Sequence, residues 1–178
     1  IQVNGFLNLN GQKISKSLGN IVRPTDWVEK YGTDAVRYYL LRYANVTEDS
    51  DISEAKLKNS YNADFANGLG NLVARVAKLC EKEHFEAPES YKVWCADVDK
   101  AFIEYKFNEG LRGIWQLIAE ADQKINETEP WNLDDAELSK VLKDLVRRVQ
   151  EIAYNLRPFL PETAEKILSQ FSGKIKYS

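Results

Sequence analysis

The chain has 178 residues, 44% of them hydrophobic, and a formal net charge of −3. That is enough apolar material for the core of one domain, or of one domain and part of another. The mildly acidic balance excludes a nonspecific nucleic-acid coat, which needs a broad basic surface, and no apolar run reaches the length of a membrane span.

The chain opens on Ile1 inside a strand-like pattern, with no signal-peptide pattern after it. This predicts the C-terminal part of a longer protein. Residues 1–12 alternate apolar and polar positions around two Asn-Gly pairs, which is hairpin chemistry. A loop over 13–20 follows, Lys13-Ile14-Ser15-Lys16-Ser17-Leu18-Gly19-Asn20. Two ammoniums alternating with hydroxyls suit an anion. The spacing is not that of a Walker loop, and by composition alone the pentapeptide reads first as a solvated surface turn.

Pro24 opens a helix to Tyr31, Gly32 stops it, and Thr33 or Asp34 caps the next helix to about Ala44. Residues 45–52 read as an acidic loop whose spacing is not that of an EF-hand. Ser53 caps a long helical stretch with apolar residues at Leu57, Tyr61, Phe65, Leu69, Leu72 and Val76. Gly68 and Gly70 lie inside it, so it is one kinked helix or two. Further helices are predicted over about 92–105, 107–127, 135–156 and 161–171, with Pro130 and Pro158 marking breaks and Pro161 a first turn. The fold class is therefore mainly α. A helical bundle over 53–172 follows a small α/β piece over 1–52, and 173–178 is a tail.

Cys80 and Cys95 form no CxxC pair and read as buried thiols of a reducing, cytoplasmic compartment, so no metal site is predicted. His84 follows a charged run near a helix end and reads as a solvated residue. Trp27, Trp94 and Trp115 read as core and rim. Arg147 and Arg148, with Lys140 and Lys143, read as the solvated face opposite the Leu138–Leu156 stripe, ahead of a role in tracking phosphates.

The stretch Gly11 to Asn20 resembles the KMSKS signature loop of class I aminoacyl-tRNA synthetases, with Ile14 in place of the signature methionine. Val28 to Arg37 resembles the segment that follows this loop in the Met, Leu, Ile, Val and Cys enzymes. Tyr61 to Arg75, Ile125 to Trp131 and Leu156 to Pro161 resemble segments of the anticodon domain of methionyl-tRNA synthetases. The resemblance covers nearly the whole chain.

It implies that Lys16 contacts ATP phosphates during adenylate formation, with Mg2+ accompanying ATP, and that Lys13 assists. Ser15 and Ser17 would shape the loop and Gly19 would lend it hinge freedom. It also implies that Asn71, Arg75 and Trp131 read the CAU anticodon of methionine tRNA. Asn71 and Arg75, at i and i+4, share a helix face, and Trp131 is held by Pro130. From the residues alone, the favoured readings are Arg75 as a surface ion-pair partner and Trp131 as a hydrophobic staple for the next helix. The chain lacks a HIGH-type histidine motif, the nucleotide-binding strands and a methionine pocket, so as a fragment it is predicted to be inactive. The readings weighed against this one are a piece of a Val, Ile, Leu or Cys enzyme, or a non-catalytic helical module that binds RNA or protein.

Overall fold

The structure is a computed structural model that describes residues 5–17 and 19–177. A small sheet opens the chain. Strand β1 (Leu7–Leu9) pairs antiparallel with β2 (Gln12–Lys13) through the Asn10-Gly11 turn, where both residues have positive φ. The first Asn-Gly pair includes Asn4, which lies outside the described residues.

On its other edge β1 pairs parallel with β3 (Ser50–Ile52), giving the order β2-β1-β3. The segment expected to be an acidic loop therefore ends in a strand. Ser50 and Ile52 point inward, and Asp51 reaches back to accept the Gly11 N–H at 2.5 Å. Three residues carry too little alternation to announce a strand, and the pairing is nonlocal.

Helix α1 (Pro24–Tyr31) begins on its proline and stops at Gly32 as expected. Helix α2 (Thr33–Tyr43) lacks the expected side-chain cap, since Gly32 occupies the capping position. Asp34 is instead buried and used elsewhere in the fold. Consecutive residues of α2 serve two cores. Tyr39 packs with Trp27, Val36, Ile52 and Leu57 beside the sheet, and Tyr38 enters the main core.

Ser53 caps α3 (Glu54–Ser60) by accepting the Lys56 N–H. The helix runs without a break through a π-wound segment (Tyr61–Gly70) into α4 (Asn71–Lys82). The anticipated kink is thus a change of winding. Apolar residues every four positions, Leu57, Tyr61, Phe65 and Leu69, drift off one face of a 3.6-residue helix, and a wider helical turn brings them back. Gly70 fits the winding: a Cβ there would sit 2.8 Å from the Phe65 carbonyl oxygen, five residues earlier. Tyr38 and Tyr43 both donate to the Asp64 carboxylate, at 2.8 and 3.1 Å, tying α2 to the π segment. Burial, reinforced by that carboxylate, pushes both phenols up.

Helices α5 (Ala96–Ile103), α6 (Phe107–Thr128), α7 (Asp135–Leu156) and α8 (Pro161–Gln170) complete the bundle. Of the expected α7 stripe, Leu138, Leu142, Leu145, Val149, Ile152 and Leu156 are buried, and Val141 is half-buried against the core. The stripe meets Leu111, Ile114, Ile118, Ala121 and Ile125 of α6 in one core. Two polar residues of α7 are buried as well. Gln150 accepts the Tyr91 N–H and donates to the Phe171 carbonyl, while Asn155 accepts the Cys95 N–H and donates to Val93. They stitch the irregular segment ahead of α5 to the bundle. The chain end also packs back rather than trailing as a tail: Ile175 is 2% exposed, and Ala87 N–H donates to the Gly173 carbonyl at 2.7 Å.

Asp134 caps α7 twice, accepting the Ala136 and Glu137 N–H groups at 3.0 and 2.9 Å. Asp134→Ala should lower stability by about 1 kcal/mol, which thermal unfolding would register as a fall of roughly 2–4 °C. No helix among the described residues is long and apolar enough to cross a membrane.

Candidate phosphate loop and nucleic-acid surface

Lys13 closes strand β2 rather than opening the loop, and its ammonium lies 5.5 Å from the centre of the Phe6 ring. The loop beyond it is shut by Asn20. Asn20 donates to the Lys13 carbonyl at 3.0 Å and accepts the Ser15 N–H at 2.8 Å, so one side chain holds both ends. Ser15 and Ser17 share a hydrogen bond of 2.8 Å between their hydroxyls. Gly19, at φ +68°, donates to the Lys16 carbonyl at 3.3 Å. Leu18 lies outside the described residues.

Lys13 and Lys16 are both exposed, and among the described residues no carboxylate forms an ion pair with either. A pinned loop presenting two such ammoniums fits a polyphosphate. No group of three or more metal-ligating side chains occurs among the described residues.

The second site is built on α4 and α6. Asn71 starts α4, is exposed, and donates to the Asn67 carbonyl at 3.2 Å. One turn later, half-buried Arg75 forms an ion pair with Asp122 of α6 and donates to the Asn126 side-chain oxygen at 2.6 Å. The ion pair considered for Arg75 is therefore present. It uses part of a guanidinium that carries five N–H donors. Asp122 and Asn126 are themselves i and i+4, so two polar faces meet edge to edge. Neither had a role in the sequence reading; the cue available was that shared spacing, with Asn126 already inside the segment resembling the anticodon domain.

Helix α6 ends two residues beyond Asn126, with Glu129 in the left-handed region as its C-cap. A 3-10 turn over Pro130–Asn132 follows. Pro130 is buried and Trp131 is 55% exposed. The staple role fits Leu133, directly before the Asp134 cap, since both it and Leu138 join the main core. Arg75 is thus tied to Asn126 in the last turn of α6, ahead of the Trp131 turn, and Asn71 lies one turn earlier on α4.

Other candidates resolve locally. Arg148 pairs with Asp144 on its own helix, and Arg147 lies over the Tyr91 ring. Cys80 is fully buried, which pushes its thiol up to about 12, whereas Cys95 is only half-buried at the start of α5. His84 is exposed just past α4. Trp27 is buried and Trp115 half-buried, whereas Trp94 stands at the rim, donating to Asp99 at 2.8 Å.

Residues 1–77 match the family model for class I tRNA synthetases (M). The chain is 35% identical over 190 residues to the methionine–tRNA ligase of Fusobacterium nucleatum, covering 96% of this chain and 30% of that protein. It is 35% identical over 193 residues to the Thermotoga maritima methionine–tRNA ligase, covering 98% and 30%. Among solved structures it resembles Mycobacterium tuberculosis methionyl-tRNA synthetase bound by methionyl-adenylate. There the TM-score is 0.80 at 25% identity, covering 99% of this chain and 42% of that one. The chain thus spans about 30% of the length of these curated relatives.

Proposed function

We propose, from the membership of the class I methionyl-tRNA synthetase family that the family match and the homologues support, that this chain is the part of a methionine–tRNA ligase that carries its phosphate loop and reads its tRNA anticodon. The whole enzyme would act in the cytoplasm in two steps. The methionine carboxylate attacks the α-phosphorus of ATP, a new P–O bond forms, and the bond to pyrophosphate breaks. A hydroxyl of the tRNA then attacks the acyl carbonyl and AMP leaves.

In the first step, negative charge builds on the departing pyrophosphate. Lys16, on a loop held shut by Asn20, supplies an ammonium that strengthens its contact as that charge develops. Lys13 adds a second positive charge at the other end of the loop, and the hydrogen-bonded Ser15 and Ser17 hydroxyls hold its shape. Mg2+ would arrive with ATP, and no residue of this chain is assigned to it. The remaining parts of an ATP and methionine site are not supplied by these residues, so the chain alone is expected to be inactive.

At the far site, Asn71 and Arg75 offer planar hydrogen-bonding groups to base edges, and Trp131 offers an aromatic face to an unstacked base. The observation that carries this reading is the exposure of Trp131 on a turn anchored by buried Pro130, which follows the helix whose Asn126 Arg75 contacts. RNA binding tests it. A stem-loop bearing CAU should bind the full-length protein at least tenfold more tightly than stem-loops bearing valine, isoleucine or leucine anticodons. Equal affinities for all of them would overturn the anticodon role.

A further inference from the structure

Helix α2 grips three helix ends of the bundle. Asp34 accepts the Thr163 N–H at 2.6 Å, in the first turn of α8, whose own capping residue Leu160 has no side-chain acceptor. One turn on, Arg37 donates from Nε to the Phe159 carbonyl and from Nη2 to the Pro158 carbonyl, both at 2.9 Å. These carbonyls follow the C-terminus of α7. At the end of α2, Arg42 donates to the Asn108 carbonyl in the first turn of α6 at 3.1 Å. All the bundle's partners in these contacts are backbone groups at helix ends: an N–H in the first turn of α8 and carbonyls just past α7, where such groups lack intrahelical partners, and a carbonyl in the first turn of α6, which is not an orphan of this kind. For Asp34 and Arg37 the charge also matches the helix dipole, an acid at an N-terminus and a base beyond a C-terminus, whereas Arg42, at the N-terminus of α6, gains nothing from it.

The gripped ends lie opposite the Trp131 turn. Helices α6 and α7 have 22 residues each, so each spans about 33 Å. Helix α6 runs from the Arg42 contact to Asn126 and the Trp131 turn, and α7 returns from that turn to the Arg37 contact. Meanwhile α2 is joined to the phosphate loop through α1, and its Val36 and Tyr39 sit in the loop-side core with Trp27.

We infer that Asp34, Arg37 and Arg42 are positioning residues that fix the α6–α7 pair against the phosphate-loop module, so that a tRNA held at the Trp131 end delivers its reacting end in register. This rests on the anticodon reading above. It assigns these residues to the transfer step and not to adenylate formation. Misplacement of reacting groups by about 1 Å can cost around a hundredfold in rate, and a strut pivoting at one end amplifies small rotations at the other.

The test uses the full-length protein that carries this chain, with Arg37→Ala and Arg37→Lys. Four quantities are measured: methionine-dependent ATP–pyrophosphate exchange, kcat and KM for charging methionine tRNA, affinity for the CAU stem-loop, and Tm. For Arg37→Ala, exchange, stem-loop affinity and charging KM should stay within about twofold, while charging kcat falls at least tenfold. Lysine keeps the charge but cannot reach both carbonyls as a planar fork. Arg37→Lys should therefore fall in between, and it carries the test if the alanine variant does not fold. Charging kcat within twofold of wild type in the folded variants would overturn the clamp. So would a parallel loss of stem-loop affinity and kcat, which marks a merely structural role. The wild-type protein separates the two readings: indifference to anticodon sequence overturns the anticodon role and the clamp's purpose with it, whereas CAU preference with normal charging by the Arg37 variants overturns the clamp alone.

Discussion

Replacing Trp131 with alanine in the full-length protein should lower kcat/KM for charging methionine tRNA by about 5- to 150-fold while leaving adenylate formation unchanged. The range follows from the worth of one base–aromatic stack, about 1–3 kcal/mol, at tenfold per 1.36 kcal/mol. The side chain is 55% exposed on a three-residue turn whose anchor is Pro130, and the core contact of that turn is made by Leu133. Removing the indole therefore empties no core site, and stability should move by no more than about 0.5 kcal/mol. Trp131→Phe keeps a π-face and should retain most of the activity. Aminoacylation kinetics and thermal unfolding on the same preparations separate the outcomes. An alanine variant that folds and charges like wild type would remove Trp131 from the anticodon surface.

The exposure of Trp131 also shows what a sequence reveals and what it does not. Helix ends marked by backbone chemistry were readable: Pro24 and Gly32 bound α1, and Pro161 starts α8, whereas the start of α7 was readable only as Asp134 or Asp135, of which Asp134 is the cap. The α7 stripe was readable because Leu138, Val141, Leu142, Leu145, Val149, Ile152 and Leu156 repeat at helical spacing, and all but half-buried Val141 are buried. The winding of 61–70 was visible only as a four-residue spacing, which a kinked α-helix shares. Strand β3 was hidden because its partner lies some 40 residues away and its own three residues show no pattern.

Asp34 shows the limit most clearly. At the start of α2 it has the chemistry of a local cap, yet it caps α8, 129 residues on. Local propensity could not distinguish these, since the same carboxylate serves either N-terminus. In the candidate sites, the resemblance supplied Lys16, Asn71, Arg75 and Trp131. It did not supply their supports, Asn20, Asp122 and Asn126, whose roles exist only once strands and helices are side by side.

Those supports bear directly on the largest effect expected. Lys16→Ala in the full-length protein should slow methionine-dependent ATP–pyrophosphate exchange by about a hundred- to a thousandfold, the usual cost of losing one contact to charge that develops in the transition state. The loop should survive the change. Its ends are held by the Asn20 side chain, its serines by each other, and Gly19 bonds the backbone carbonyl of Lys16, which alanine retains. Loss of rate would then report the ammonium itself and not a collapsed loop. Lys16→Arg keeps the charge on a longer, planar group and should recover part of the rate. Because Arg75 lies on α4 and Trp131 on the turn that follows α6, neither of them in the sheet that carries the loop, affinity for the CAU stem-loop should be unaffected. A rate within twofold of wild type would take Lys16 out of the chemistry. A joint loss of exchange and stem-loop binding would instead mean that the substitution had disturbed the fold through α1 and α2, the helices that join the two sites.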